Sequence, residues 1–278
     1  MNKTNRIISN EELLNLQLDM MNDIHIFCVN NQIRYSLAYG TLLGAVRHGG
    51  YIPWDDDIDI MMPRPDYMKF LKTFNGYKSN LSVAAVELDS DYYSPIANVY
   101  DNRTLLDESG MSHRKTPLGV KIDIYPIDAV PDDPRIQEKE YSIIFNIYMR
   151  FLVAKCTSIS SLFKSEKKVI PYRLKCLALR FFSCWMPFSY FQKQIMNIVR
   201  KYDFNKADFV SQSTFVPTLA RYPKAMFDNY DLVKFEQFKF YIISDYDTFL
   251  TSRYGNYMEL PPLEQRNPHH NFIAYWLG

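Results

Sequence analysis

Tyr39-Gly40-Thr41-Leu42-Leu43-Gly44-Ala45-Val46-Arg47-His48-Gly49-Gly50-Tyr51-Ile52-Pro53-Trp54-Asp55-Asp56-Asp57-Ile58-Asp59-Ile60 is the stretch whose reading decides the fold. Just ahead of it and into its first residue, Ile33, Tyr35, Leu37 and Tyr39 alternate with Arg34, Ser36 and Ala38, which is the period of a strand. Gly40 ends that strand, Thr41–Arg47 is short and apolar enough for a helical turn or two, and His48-Gly49-Gly50 breaks it. Asp56–Met62 alternates again, with Asp57 and Asp59 on one face and Ile58 and Ile60 on the other. Pro63 and Pro65 stop this second strand, and Asp66–Phe74 resumes helical spacing.

Two acids at i and i+2 of a strand point the same way, roughly 6–7 Å apart. Such a pair beside apolar neighbours needs something cationic between its members. A divalent ion is the simplest candidate, and carboxylate-plus-phosphate coordination suits magnesium or manganese. The preceding strand–Gly-Thr–helix supplies main-chain amides at a helix start, where an anion is favoured. Either half alone occurs often by chance, and the bland reading of Asp-x-Asp is a solvated strand end.

Outward from this stretch, Ser9-Asn10-Glu11-Glu12 reads as a capping box opening a helix to about Cys28. Leu81–Val86, Pro95–Tyr100 and Val120–Tyr125 read as strands, the last with Lys121, Asp123 and Tyr125 on one face. Pro131-Asp132-Asp133-Pro134 is the clearest punctuation, and Glu138–Lys155, Pro171–Trp185 and Tyr190–Tyr202 read as a helical insert. Leu232–Phe235 and Phe238–Ile242 form a hairpin pattern around Glu236-Gln237, and Ser244–Asp247 caps a helix ending at Gly255. With 278 residues, 47% hydrophobic and 23% charged, the chain has the balance of a globular protein. Its net charge of +1 gives no overall footprint for nucleic acid. Cys28, Cys156, Cys176 and Cys184 lack metal-ligand spacing and read as buried or half-buried apolar residues in a reducing compartment. The polar start, Met1–Asn10, is unlike a secretory signal, and no uncharged apolar run is long enough to span a membrane. These features predict a cytoplasmic protein, with attachment to the inner face of the cell membrane left open.

The long string from Tyr39 to Ile60 closely resembles the LicD family of phosphocholine transferases, which belongs to the nucleotidyltransferase-like superfamily and is distantly related to fukutin-type proteins. The resemblance continues at Lys121-Ile122-Asp123-Ile124-Tyr125-Pro126-Ile127-Asp128 and at Tyr254-Gly255-Asn256-Tyr257-Met258-Glu259-Leu260-Pro261-Pro262, followed by Arg266 and His269-His270. Asn256 departs from it, since the family more often carries an acid there. The resemblance implies that Asp57 and Asp59 are metal ligands and catalytic residues, joined by Asp123 either as a third ligand or as the base taking the acceptor's proton. The plain alternative for Asp123 is a strand-end acid paired with Lys121. Asp55 and Asp56 are expected to cap the strand or support the ligands from behind, and Asp128 to fix a turn after Pro126. Gly40 and Thr41 are expected at the donor phosphates, with Arg47, His48 and Arg266 neutralising phosphate oxygens. Surface residues at a helix end are the competing reading for Arg47 and His48, and His269 and His270 are as readily incidental. Trp54 either packs beneath the aspartate loop or faces a quaternary ammonium.

The expected fold is α+β: a nucleotidyltransferase-like mixed sheet flanked by helices (residues 1–131), a helical insert (132–210) and a C-terminal segment completing the core (211–278). The resemblance implies transfer of phosphocholine from CDP-choline to a hydroxyl of a cell-surface glycan or its lipid-linked precursor, with release of CMP and with Mg2+ or Mn2+. Transfer of another CDP-linked group, nucleotidyl transfer, and a non-catalytic protein keeping the fold are the alternatives. Between Lys164 and Lys206 lie ten Lys or Arg against only Glu166 and Asp203, with aromatic residues among them. That composition suits an anionic membrane surface or anionic glycan, or a solvated basic side of the insert.

Overall fold

The computed structural model describes residues 5–90, 92, 94–108, 118–155, 178, 180–213, 219–266 and 272–278. After a two-residue strand (β1, Arg6–Ile7), the Ser9 hydroxyl accepts the Glu12 N–H at 3.3 Å and the Glu12 carboxylate accepts the Ser9 N–H at 3.0 Å. This is the expected capping box, and it opens helix α1 (Asn10–Asn30). Leu13, Leu16, Met20, Met21, Ile24 and Phe27 fill its buried face. The strand expected over 33–39 shortens to β2 (Ser36–Leu37), because Tyr39 turns into left-handed backbone (φ 47°) and begins α2 (Tyr39–His48). Gly49 (φ 69°) closes α2 in the left-handed conformation that glycine adopts without a Cβ clash.

Strand β3 (Asp59–Pro63) starts only at Asp59, so the strand expected from Asp56 loses its first residues. Aspartate is a poor strand former, and Asp55 is drawn aside to the first turn of α2. Helix α3 (Arg64–Thr73), strands β4 (Leu81–Ala84), β5 (Ala97–Asp101), β6 (Thr104–Glu108) and β7 (Lys121–Val130) follow. The insert contributes α4 (Pro134–Lys155) and α5 (Phe188–Val199), and the chain closes with β8 (Phe209–Ser211), β9 (Tyr222–Pro223), β10 (Tyr230–Phe235), β11 (Phe238–Ile243), α6 (Tyr246–Tyr254) and β12 (Phe272–Trp276). The expected hairpin is β10–β11, paired Phe235 to Phe238. Helix α6 ends at Gly255 as read, but no side chain caps its start. The helix expected over Pro171–Trp185 lies mostly outside the described residues, as do Lys164, Lys167, Lys168, Arg173, Lys175, His269 and His270.

The main sheet runs β2-β3-β7-β5-β4, with β8 joined to β7 and β9 to β8; β3 and β7 are parallel and the other pairs antiparallel. The α+β architecture with a mixed sheet is therefore the one expected. A second sheet, β1-β12-β6, was not legible from the sequence pattern. Helices α1 and α3 pack on the main sheet, and Leu37, Ile60, Met62, Phe70, Phe74, Val99, Ile122 and Ile124 are among its core. Helices α4 and α5 enclose a smaller cluster of Ile144, Ile147, Phe191, Ile195 and Val199. Cys28 is buried, whereas Cys184 is exposed on the turn before α5, against expectation.

Asp128 does not fix a turn, because β7 runs through Pro126 to Val130. The Asp123 N–H donates to Ile58 O across to the β3 side. By the strand's alternation, Pro126 faces the other side, in the interval between the β5 and β8 ladders, where no N–H is needed. Asp128 is buried and accepts Arg64 Nε at 2.5 Å and a second guanidinium N–H at 2.8 Å. Glu87 meets the same guanidinium at 2.9 Å and joins it to Arg200, just past α5, at 2.8 Å. Burial raises the Asp128 carboxyl against the downward pull of Arg64.

Candidate active site

The parallel register sets Asp59 of β3 opposite Asp123 of β7. The main chain of Asp59 is gripped at both ends: its N–H donates to Thr41 Oγ1 at 2.9 Å, and its carbonyl accepts the Ala38 N–H at 2.9 Å. The stretch joining α2 to β3 thus folds back onto the helix start. Gly40 permits this approach, since a Cβ there would lie 2.6 Å from Asp55 Oδ2. On the far side of the loop, the Glu236 carboxylate at the tip of the β10–β11 hairpin accepts the Tyr51 N–H at 3.0 Å, while the Glu236 N–H donates to Gly49 O at 2.8 Å. Gln17 of α1 donates to Asp56 O at 3.2 Å. Helix α2 with its N-terminal cap, the β10–β11 hairpin tip and α1 therefore fix the aspartate loop.

Asp55, Asp56 and Asp57 each bring a carboxylate oxygen within 4.8 Å of the others, a group able to hold a divalent ion. The strand parity that set Asp55 and Asp56 apart from Asp57 does not apply, since all three precede β3. Asp59 is buried, and its Oδ1 has no hydrogen-bond partner among the described residues. Burial first, then Asp57 and Asp123 nearby, hold its carboxyl well above the usual carboxylate range, against the opposing pull of Lys121. A buried carboxylate oxygen without a donor is costly to keep, and a hard cation that takes carboxylate oxygens offsets that cost. The residues present thus fit a divalent metal ion.

Asp123 accepts Lys121 Nζ at 2.7 and 2.9 Å and also the Asn98 amide N–H. The strand-end ion pair with Lys121 is thus present, alongside the closeness to Asp59. A cavity of 780 Å³ opens over Gly40, Arg47, Trp54, Asp55, Asp57, Asp59 and Tyr125, walled by Tyr254, Tyr257, Glu259 and the Pro261-Pro262 turn. Asp123 instead lines a small neighbouring cavity with Asp56 and Lys121, and Asp57 borders both.

The other expected residues divide. Thr41 is buried with its hydroxyl bonded to Asp59, so it shapes the carboxylates rather than facing the cavity. Arg47 donates to Tyr257 O at 2.7 Å and Glu259 O at 3.2 Å, tying α2 to the C-terminal segment. The Arg266 Nε–H donates to Pro261 O at 2.8 Å, and its guanidinium lies 5.4 Å from the Trp54 ring centre. Desolvation, and then Arg266, lowers the Arg47 pKa, so the two cations feel each other. The exposed His48 stands edge-on to Trp54 at 6.3 Å. Trp54 thus has both His48 and Arg266 against its ring and lines the cavity. Tyr125, Tyr254, Tyr257 and Glu259 carried no assigned role in the sequence reading. They fall within the motifs already quoted, which was the available signal.

The family model described as "LicD/FKTN/FKRP, nucleotidyltransferase domain" matches residues 32–129, the segment from the end of α1 into β7. The lipopolysaccharide cholinephosphotransferase LicD of Haemophilus influenzae is 32% identical over 268 residues, covering 94% of this chain and 95% of that one. The chain belongs to the LicD family. Two uncharacterized proteins match shorter segments: one of Rickettsia typhi, 42% identical over 26% of this chain and 23% of its own, and one of Rickettsia prowazekii, 48% identical over 21% and 22%. As a LicD-family member with a nucleotidyltransferase-like fold, the protein is an enzyme of the phosphotransferase type. Among the described residues no helix is long and apolar enough to cross a membrane.

Proposed function

We propose that this LicD-family enzyme moves phosphocholine from CDP-choline to a hydroxyl of a cell-surface glycan or its lipid-linked precursor, releasing CMP. The observation that carries the chemistry is the unpartnered Asp59 Oδ1, buried beside Asp57 and Asp123 at the 780 Å³ cavity. The choice of donor rests on the Haemophilus influenzae relative named as a lipopolysaccharide cholinephosphotransferase. Asp57, Asp59 and Asp123 are the proposed ligands of Mg2+ or Mn2+, which when bound offsets negative charge developing on the diphosphate oxygens. Thr41 and Ala38 hold the Asp59 main chain so that its carboxylate keeps one position. Arg47 and Arg266 are anchored by main-chain carbonyls on the Trp54 side of the cavity, where two neighbouring cations favour a diphosphate. Gly40 borders the cavity, its missing Cβ leaving room for the Asp55 carboxylate at the first turn of α2. Asp123 accepts the acceptor's proton if it is the base, with Lys121 and Asn98 fixing its orientation.

The test is to incubate the enzyme and Asp59→Asn with a panel of CDP-linked donors and glycan acceptors, with and without divalent ions. The reading expects metal-dependent release of CMP from CDP-choline and transfer of labelled choline. Pyrophosphate as the released product would mean nucleotidyl transfer instead. Turnover confined to other CDP-linked donors would move the assignment to a different phospho-group.

A further inference from the structure

Glu236 occupies left-handed backbone, with φ 54°, as the first residue of the two-residue turn joining Phe235 to Phe238. Hairpin turns with positive φ at that place favour glycine, because a Cβ there is strained. Strain of this kind persists where the surrounding structure holds a side chain for another purpose. Here the side chain reaches the loop that follows α2, 185 residues away in sequence. Its carboxylate accepts the Tyr51 N–H at 3.0 Å, while its own N–H donates to Gly49 O at 2.8 Å. Gly50 makes the approach possible. A Cβ there would lie 1.9 Å from Glu236 Oε1, and the three atoms nearest to it all belong to the Glu236 side chain.

The hairpin behind this clasp is firmly seated. Phe235, Phe240, Ile242 and Ile243 are fully buried, and the Ile243 N–H donates to Ser36 Oγ of β2 at 3.0 Å. Tyr51 carries the hold onward to the aspartates. Its ring meets Phe235 edge-on at 5.1 Å, and its hydroxyl lies 3.3 Å from Leu14 O and from Gln17 Oε1. Gln17 in turn donates to Asp56 O at 3.2 Å. One residue beyond Tyr51, Ile52 O accepts the Asp55 N–H at 2.8 Å. The exposed Glu236 is thus joined through Tyr51 to the main chain of both Asp55 and Asp56.

We propose that Glu236 is a positioning residue whose carboxylate sets where Asp55, Asp56 and Asp57 stand relative to Asp59, at the cost of a strained turn. The inference rests on the reading of these acids as a divalent-ion site. Its signature is that stability and ion binding part company. Glu236→Gly removes the carboxylate but relieves the turn, so without divalent ions it melts close to wild type and above Glu236→Ala. In both variants the Mg2+ requirement rises about tenfold, the loss typical of a group that orients metal ligands from behind. That requirement is read by CMP release and by the rise in melting temperature on adding Mg2+. Glu236→Gln keeps an acceptor oxygen for the Tyr51 N–H and recovers most of the lost Mg2+ affinity. Gly50→Ala, which displaces the carboxylate from the other side, reproduces the Mg2+ effect and adds nothing to Glu236→Gly in the double variant. A Mg2+ requirement left at the wild-type value by Glu236→Gly overturns the proposal, as does a loss that simply follows melting temperature across the variants. If the wild type neither releases CMP nor gains stability with Mg2+, the transferase reading fails, and amide exchange decides the role of Glu236. Faster exchange confined to residues 50–57 in Glu236→Gly upholds the positioning; exchange at the wild-type rate overturns it.

Discussion

Two buried aspartates on neighbouring strands receive opposite treatment. Asp128, on β7, is met by the Arg64 guanidinium through two hydrogen bonds, and Glu87 and Arg200 extend the pairing toward the insert. Asp59, at the start of β3, has an oxygen with no donor among the described residues and two further acids beside it. Both are largely desolvated, so burial alone does not distinguish structure from chemistry. What distinguishes them is whether the fold supplies the compensating cation itself. Around Asp128 it does, and the group is structural. Around Asp59 the compensation is left to something that binds.

The sharpest way to break this comparison is Asp59→Asn. Turnover should fall about a thousandfold or more, since a ligand charge contributes several kcal/mol at the transition state. Stability without divalent ions should hold or rise, because a buried carboxyl whose ionisation is opposed by burial, Asp57 and Asp123 is gone. Mg2+ should raise the wild-type melting temperature and leave that of the variant unmoved. A folded variant with near-native CMP release would remove Asp59 from the metal site.

Asp128→Asn should do the reverse. Breaking a buried ion pair costs about 3–5 kcal/mol, toward the lower end here because Glu87 keeps its hold on Arg64. Urea unfolding reads the loss, while CMP release per folded molecule stays near the wild-type value. A large drop in turnover with intact stability would contradict the contrast drawn between the two aspartates.

Asp123 lies between these cases, with a cation of its own in Lys121 and an acid neighbour in Asp59. Asp123→Asn should cut turnover about a hundredfold. If it is a ligand, the divalent-ion requirement rises with the loss. If it is the base, ion affinity survives and the pH–rate profile loses one limb. Unchanged kinetics and ion affinity would place it with Asp128 as a structural pair.

Gly44→Ala probes the loop rather than the charges. A Cβ there would press on Gly50 O, a main-chain atom that cannot swing away. A cost of about 1–3 kcal/mol is expected by thermal melt, with reduced turnover from displacement of the following aspartates. An unchanged melt would show that the 50–57 loop yields easily.

The smallest effect concerns Glu12, where the partner is exposed. The Arg6 hydrogen bond, then the Ser9 amide, lower its pKa from 4.5 to about 2. A depressed carboxyl contributes stability above its unfolded pKa, and that contribution is lost as pH falls from about 4.5 toward about 2. Glu12→Gln should flatten that part of the stability-versus-pH curve and change nothing near neutrality beyond the lost cap. A curve identical to wild type would mean the capping box adds no measurable pH dependence.

Local order in this chain was legible because it rests on local physics. Ser9 and Glu12 satisfy each other's amides within one turn, Gly49 and Gly255 supply the left-handed helix ends, and Glu236-Gln237 closes a two-residue hairpin turn. The aspartate-rich string was legible as a site because so many acids beside apolar residues demand a cation. Where the strand began was not legible, since Asp57 leaves the ladder for reasons set by Gly40, Gln17 and the β10–β11 hairpin tip, all remote in sequence. Asp128 reads as a turn residue after a proline until the register of β7 shows that Pro126 faces an interval needing no N–H. The sequence by itself determined which residues carry charge and which short segments are helix or strand. Only the tertiary structure decided which buried charge received an arginine and which did not, because compensation depends on a partner brought close by the packing of other elements.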